Sequence, residues 1–162
     1  MTVPEHHVLA LSGSLRAGSY NTALLRAARD LAPGSMSVHV HSGLGDLPLY
    51  DEDLEQHPFP EAVHDLHRQI LRADGLLIAT PEHNAAIPAA LKNAIDWMSR
   101  MPGGSGMSGK PVAVAGASPV LSARCGPSSA CARSSPASAP KSSPSRRWWC
   151  SARTSGSTAT GP

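Results

Sequence analysis

Cysteine is missing from the first 120 of the chain's 162 residues, and acid is missing from the last 42. Without cysteine, no disulfide can brace residues 1–120, so a fold there must rest on packing, which is compatible with a reducing cytoplasm. Without acid, residues 121–162 carry six Lys or Arg and a local charge of +6. Those 42 residues include 12 Ser, 7 Ala, 5 Pro and 5 Arg, and Leu121 is their one Leu, Ile, Val or Phe, against 28 such residues before it. Such a tail cannot offset its ordering entropy by burial and is expected to be disordered. Residues 1–120 hold 12 acids against 8 Lys or Arg, a net −4, and enough apolar side chains for a core. The expected organisation is one domain over 1–120 and a low-complexity tail over 121–162.

Other absences narrow the function. No run of 18 apolar residues exists, which excludes a membrane-spanning helix. The start, MTVPEHHVLALSG, lacks a basic leading region and predicts no secretory signal, so a cytoplasmic protein is expected. Cys125, Cys131 and Cys150 show no CxxC spacing and no histidine partner, so no metal site is expected. The formal charge of +2 hints weakly at nucleic acid, and the tail's Arg/Ser-rich stretch with Trp148 and Trp149 has the charge and rings of an RNA-binding segment, but the out-of-register origin argued below for the tail demotes it, and no nucleic-acid partner is expected. His64 and His67 stand at helical spacing without a third ligand and are expected to be solvated.

What is present alternates. His7–Leu11, Met36–His41, Gly75–Thr80 and Pro111–Gly116 read as four strands, the third apolar throughout, as a strand covered on both faces should be. Between them lie three helix patterns. Asn21–Leu31 places Leu24, Ala27, Ala28 and Leu31 on one face, with Ser19 and Asn21 as candidate caps. Pro60–Ala73 turns Val63, Leu66, Ile70 and Leu71 inward. Pro88–Arg100 turns Leu91, Ala94, Ile95 and Met98 inward, with Trp97 assigned to the core. Residues 42–59 read as loop. Strand and helix alternating to a final strand call for a doubly wound parallel sheet with helices on both faces. Ligands of such sheets bind outside the carboxyl ends of the strands, which directs attention to residues 12–20, 80–87 and 116 onward.

The first of these loops, SGSLRAGSYN, combines small residues with Ser14, Arg16, Ser19, Asn21 and a helix N-terminus. Those are the parts of a phosphate cup, and equally those of an ordinary capped βα turn. A Walker loop and a GxGxxG fingerprint are both absent. The second loop, TPEHNAAIP, is stiffened by Pro81 and Pro88 and offers donors that suit a flat heterocycle. Glu82 and His83 are not assigned to acid–base catalysis, because adjacent side chains need not converge on one atom.

Three segments, SGSLRAGSYN at 12–21, DLPLYDEDLE at 46–55 and ADGLLIATPEHNAAIPAALKNAIDWMSR at 73–100, together resemble the NADPH-dependent FMN reductase family of flavin, quinone, azo-dye and chromate reductases. The resemblance covers about residues 7–119 and implies a flavodoxin-like fold. It implies FMN phosphate binding by Ser14, Arg16, Ser19 and Asn21, flavin-ring contacts from Pro81, Glu82, His83 and Asn84, and a contact from Ser118 in the third loop. His83 stands where the family more often has Tyr. NADPH or NADH would be the co-substrate, a small flavin, quinone, azo compound or chromate the electron acceptor, and a homodimer or homotetramer the assembly. No catalytic acid or base is implied, since the flavin carries the chemistry. The alternatives are an FMN-binding module without turnover and an inactive truncated product.

The resemblance ends near residue 120, where the family continues with an Arg-Ala-Gln helix, a fifth strand and a last helix. Ser, Ala, Pro, Arg, Gly, Cys and Trp are what GC-rich codons give when read out of register. Shifted by one base, the codons of Cys125–Ser128 permit Arg-Ala-Gln, and those of Arg147–Cys150 give a Val-rich run. A frame change near residues 119–124 is the expected origin of the tail.

Overall fold

The structure, a computed structural model, describes residues 6–56, 58–84, 86–118 and 147–153. Its elements are β1 (His6–Ser12), α1 (Tyr20–Asp30), β2 (Met36–His41), a short 3-10 helix (Glu52–Gln56), α2 (Glu61–Arg72), β3 (Gly75–Ala79), α3 (Ala89–Ser99), β4 (Val112–Ser118) and β5 (Arg147–Arg153). The sheet order is β2-β1-β3-β4-β5, with the first four strands parallel. The four parallel strands form the doubly wound sheet that the alternation predicts, in the flavodoxin-like arrangement that the family resemblance implies. The chain moves to one side of β1 to make β2, then returns past β1 to make β3, and the crevice at that reversal is where such folds bind ligands.

Strand alternation divides the core in two. Leu9, Leu11 and Leu76 face α2 and α3, where Val63, Leu66, Ile70, Leu91, Ala94, Trp97 and Met98 complete the larger core. Ala10 and Ala79, at the intervening positions, face α1 and meet Leu25 in a smaller cluster. Val63, Leu66, Ile70 and Trp97 are fully buried. Each aliphatic among them contributes about 1.5–3 kcal/mol by leaving water.

Some inward faces differ from expectation. On α1 the face is turned: Asn21 and Leu25 are buried, whereas Leu31 is 83% exposed and Ala27 is exposed. The reason is the cap. Ser19 rather than Asn21 is the N-cap, so Asn21 belongs to the buried stripe with Leu25, one turn on. Leu71 and Ile95 sit at the flanks of their stripes and remain 54% and 36% exposed. His67 is buried rather than solvated, its Nε2 3.0 Å from the Gly104 carbonyl. Residues 52–56, expected as loop, form a 3-10 helix whose side chains include three of the loop's acids.

Of the tail, residues 121–146 and 154–162 lie outside the described residues, as does the expectation that they are disordered. Its described part, β5, runs antiparallel to β4, with Arg153 opposite Val112 and Arg147 opposite Ser118. An antiparallel strand therefore stands at the edge where the family resemblance calls for a further parallel one. Among the described residues no helix is long and apolar enough to cross a membrane, and no group of three His, Cys, Asp or Glu is placed to hold a metal.

Candidate functional site

The loops after β1, β3 and β4 open at the same edge of the sheet and enclose a cavity of about 590 Å³. Seven of the nine residues singled out from the sequence line it: Ser14, Arg16, Ser19, Asn21, Pro81, His83 and Ser118. Glu82 and Asn84 do not. The lining adds Pro88, marked in the sequence only as a stiffener of its loop, and Tyr20 and Ala117, which were not singled out.

The loop after β1 is built tightly. A Cβ at Gly13 would stand 2.4 Å from Thr80 Oγ1 and 2.9 Å from Thr80 Cβ, so only glycine lets this loop lie against the end of β3. The Gly13 N–H donates to the Ala79 carbonyl at 2.8 Å. Ser12 Oγ then knits the bend: it lies 2.8 Å from Thr22 Oγ1 and accepts from the Ser14 N–H at 3.3 Å. Ser19, buried, accepts from the Thr22 N–H and caps α1. Its hydroxyl is thus committed to the helix, and the first-turn N–H groups and positive helix end face the cavity. Arg16 is exposed, donates from Nη2 to the Gly18 carbonyl at 2.8 Å, and lies 5.7 Å from the Tyr20 ring centroid. The Ser14 hydroxyl has no protein partner among the described residues.

Asn21 lines the cavity and also pairs with β4. Its Nδ2 donates to the Ala117 carbonyl at 3.1 Å and its Oδ1 accepts from the Ala117 N–H at 2.9 Å. The side chain mimics a neighbouring strand and ties α1 to the end of β4, which carries Ser118 into the cavity wall. Both ends of the amide are occupied, so Asn21 shapes the site by holding its walls together.

The loop after β3 is a tight turn. His83 and Ala86 exchange two backbone hydrogen bonds, at 2.9 and 3.0 Å. Asn84, inside that turn, has φ 52°, a left-handed conformation that Asn tolerates better than most residues. The turn keeps Pro81 and His83 at the cavity wall and sends Glu82 and Asn84 to the surface. Pro88 follows as the N-cap residue of α3 and also lines the cavity.

The DLPLYDEDLE segment lies away from the cavity and fastens α3. Trp97 Nε1 and Asn93 Nδ2 both donate to the Pro48 carbonyl, at 2.8 and 2.9 Å, and the Tyr50 N–H donates to Asn93 Oδ1 at 2.8 Å. Arg100 grips Glu55 through Nε and Nη2, at 2.7 and 3.0 Å, while the Tyr50 hydroxyl donates to Glu55 Oε1. The Arg100 guanidinium, and next the Tyr50 hydroxyl, hold the Glu55 carboxyl below the usual carboxylate range. The same hydrogen bond raises the Tyr50 phenol.

The cavity, the N-terminal end of α1 and Arg16 stand together at the switch point of a flavodoxin-like sheet, where folds of this class bind their ligands. Comparison with known proteins carries this further. The family model for NADPH-dependent FMN reductase matches residues 6–126, and the chain belongs to that family. It is 47% identical over 108 residues to the quinone reductase of Escherichia coli K12, covering 66% of this chain and 57% of that one. It is 50% identical over 111 residues to an NAD(P)H-dependent FMN reductase of Pseudomonas aeruginosa, covering 68% and 59%. Among solved structures it is similar to the flavoenzyme NAD(P)H:(acceptor) oxidoreductase FerB of Paracoccus denitrificans, with TM-score 0.66 and 40% identity over 72% of this chain and 63% of that one. The chain thus spans less than two thirds of the length of these relatives.

Proposed function

We propose that the chain is an FMN-dependent NAD(P)H oxidoreductase acting on a small quinone-type acceptor, with a flavin, azo compound or chromate as alternatives. The observation that carries the reading is the convergence of the phosphate-type loop, the Pro81–His83 wall and Ser118 on one cavity, within a family of FMN reductases. The residues present suit FMN. The first-turn amides of α1, the partner-free Ser14 hydroxyl and Arg16 offer donors and positive charge to a phosphate. Pro81, His83 and Pro88 offer a flat, largely apolar wall to a ring system.

FMN, when bound, supplies the two-electron chemistry that links a pyridine nucleotide to the acceptor. The chain's task is to bind, orient and exclude water. Ser14 and Arg16 fix the phosphate end, Ser19 and Asn21 keep α1 and β4 in register around it, and the His83–Ala86 turn holds the ring wall. Glu82 and Asn84 enter the ring's surroundings only through the turn they build. No side chain is needed as a general acid or base. A cytoplasmic homodimer or homotetramer belongs to the same reading.

Titration of FMN into the full chain, followed by quenching of flavin fluorescence, tests it. Saturable binding that weakens about tenfold or more in Arg16→Ala is the expected result. Binding indifferent to Arg16, or none by a folded chain, would sink the assignment of this cavity to FMN. NAD(P)H oxidation by the loaded protein then separates an enzyme from a non-catalytic module.

A further inference from the structure

Tyr20 is a large side chain of the cavity wall to which the proposed flavin site gives no task. It stands at the first position of α1, directly after the N-cap Ser19, and lines the cavity while remaining 39% exposed. It belongs to neither core cluster, so the core does not call for an aromatic there. What the ring does meet is Arg16. The guanidinium carbon lies over it, 5.7 Å from the centroid, within the range of a cation–π contact. The turn closed by the Ser19 N–H on the Arg16 carbonyl, at 3.0 Å, brings the two side chains together.

Arg16 is held from a second direction as well. Its Nη2 donates to the Gly18 carbonyl at 2.8 Å, and it has no carboxylate partner among the described residues. The remaining guanidinium N–H donors stay free for an anion. The choice of holding groups matters. A carboxylate would grip the guanidinium more firmly, but it would cancel the charge and compete with an incoming phosphate. An aromatic face and a backbone carbonyl restrain the side chain and leave its positive charge in place. An unrestrained arginine loses much rotamer freedom when it grips a ligand, and restraint beforehand removes part of that loss.

We infer that Tyr20 is a positioning residue for Arg16: its ring holds the guanidinium at the cavity wall, in the place from which it takes the phosphate of the flavin. The use of the pair for a flavin phosphate rests on the function proposed above; the pairing of ring and guanidinium does not. The ring face carries the effect, so phenylalanine can replace Tyr20 and an aliphatic side chain cannot.

Two measurements on the full chain test it. In the ligand-free chain, NMR is expected to show the Arg16 side-chain protons shifted upfield by the ring, a shift lost in Tyr20→Leu and kept in Tyr20→Phe. In titrations followed by flavin fluorescence, Tyr20→Leu is expected to weaken FMN binding about threefold to tenfold, and Tyr20→Phe to bind as the parent chain does. Leucine keeps the helix, and the Ser19 cap is untouched. In an Arg16→Ala background Tyr20→Leu should add nothing, and riboflavin, which lacks the phosphate, should bind the parent and Tyr20→Leu alike. Tyr20→Leu that weakens FMN equally with and without Arg16, or weakens riboflavin as much as FMN, means that the ring serves the ligand directly and overturns the inference. Absence of the ring shift, or FMN binding indifferent to Tyr20→Leu, overturns it too. Absence of FMN binding by a chain that shows the ring shift is a different failure: it sinks the flavin reading, and the phosphate role of the pair with it, while the pairing itself stands.

Discussion

At Gly13 one hydrogen atom decides whether the site can form. The position has an ordinary backbone, so the constraint is space: the loop after β1 lies against Thr80 closely enough that a methyl group meets both Oγ1 and Cβ. Gly13→Ala is expected to cost about 1–3 kcal/mol in urea unfolding, because either β3 or the loop must move. Thr80→Ala does not rescue it, since the Cβ contact at 2.9 Å remains. Restored stability in that double variant would show that the hydroxyl alone was the obstacle. Ser14, Arg16 and Ser19 were legible in the sequence as chemistry, because small and charged residues before a helix signal an anion cup. The geometry of Asn21 and Asn84 was not. An amide that pairs with a strand 96 residues away and one that accommodates a left-handed φ look the same as ligand-binding asparagines in a string of letters.

Elements are positioned here by short polar latches as much as by packing. α3 starts at the cavity, where Ala89 and Ala90 of its first turn line the wall beside the N-cap residue Pro88, and its far part is bound to the 46–55 segment through Asn93, Trp97 and, just past its end, Arg100. The segment was recognisable as a motif, yet nothing in it announced that its partner lies on α3. Glu55 makes this latch pH-sensitive in a defined direction. Its carboxyl is depressed in the folded state, so its stabilisation is present above the unfolded carboxyl pKa and is lost as pH falls through the folded one. Glu55→Gln is therefore expected to unfold at lower temperature than the parent chain at pH 7. The gap should close as the pH drops below about 4. A gap that stays constant down to pH 3 would mean that Glu55 acts through packing alone.

Across the whole molecule, β1 and β3 are flanked by hydrogen-bonded strands on both sides, while β2 is an edge. Amide exchange should be slowest at Leu9–Leu11 and Leu76–Ile78 and faster along Met36–His41, because opening an edge breaks one ladder and opening the centre breaks two. Equal protection along β2 would imply a further strand or partner against that edge. The two faces of the sheet are unequal as well: α2 and α3 share a core that includes Trp97, whereas α1 covers the other face with a cluster centred on Leu25. β1 follows the same division, with Leu9 and Leu11 on the side of α2 and α3 and Ala10 on the side of α1, whereas β3 sends Leu76 and Ile78 to the first side and Leu77 and Ala79 to the second.

The sequence by itself determined the order of strands and helices, the parallel sheet, the family resemblance and half of the cavity lining, because period, caps and loop chemistry are local properties written in consecutive residues. It also set residues 121–162 apart, because composition needs no fold to be read. Only the tertiary structure decided which face of α1 is buried, that Asn21 serves β4, and that the 46–55 segment grips α3. Each of those depends on residues far apart in the chain meeting across the sheet, and no spacing within either segment encodes the partner.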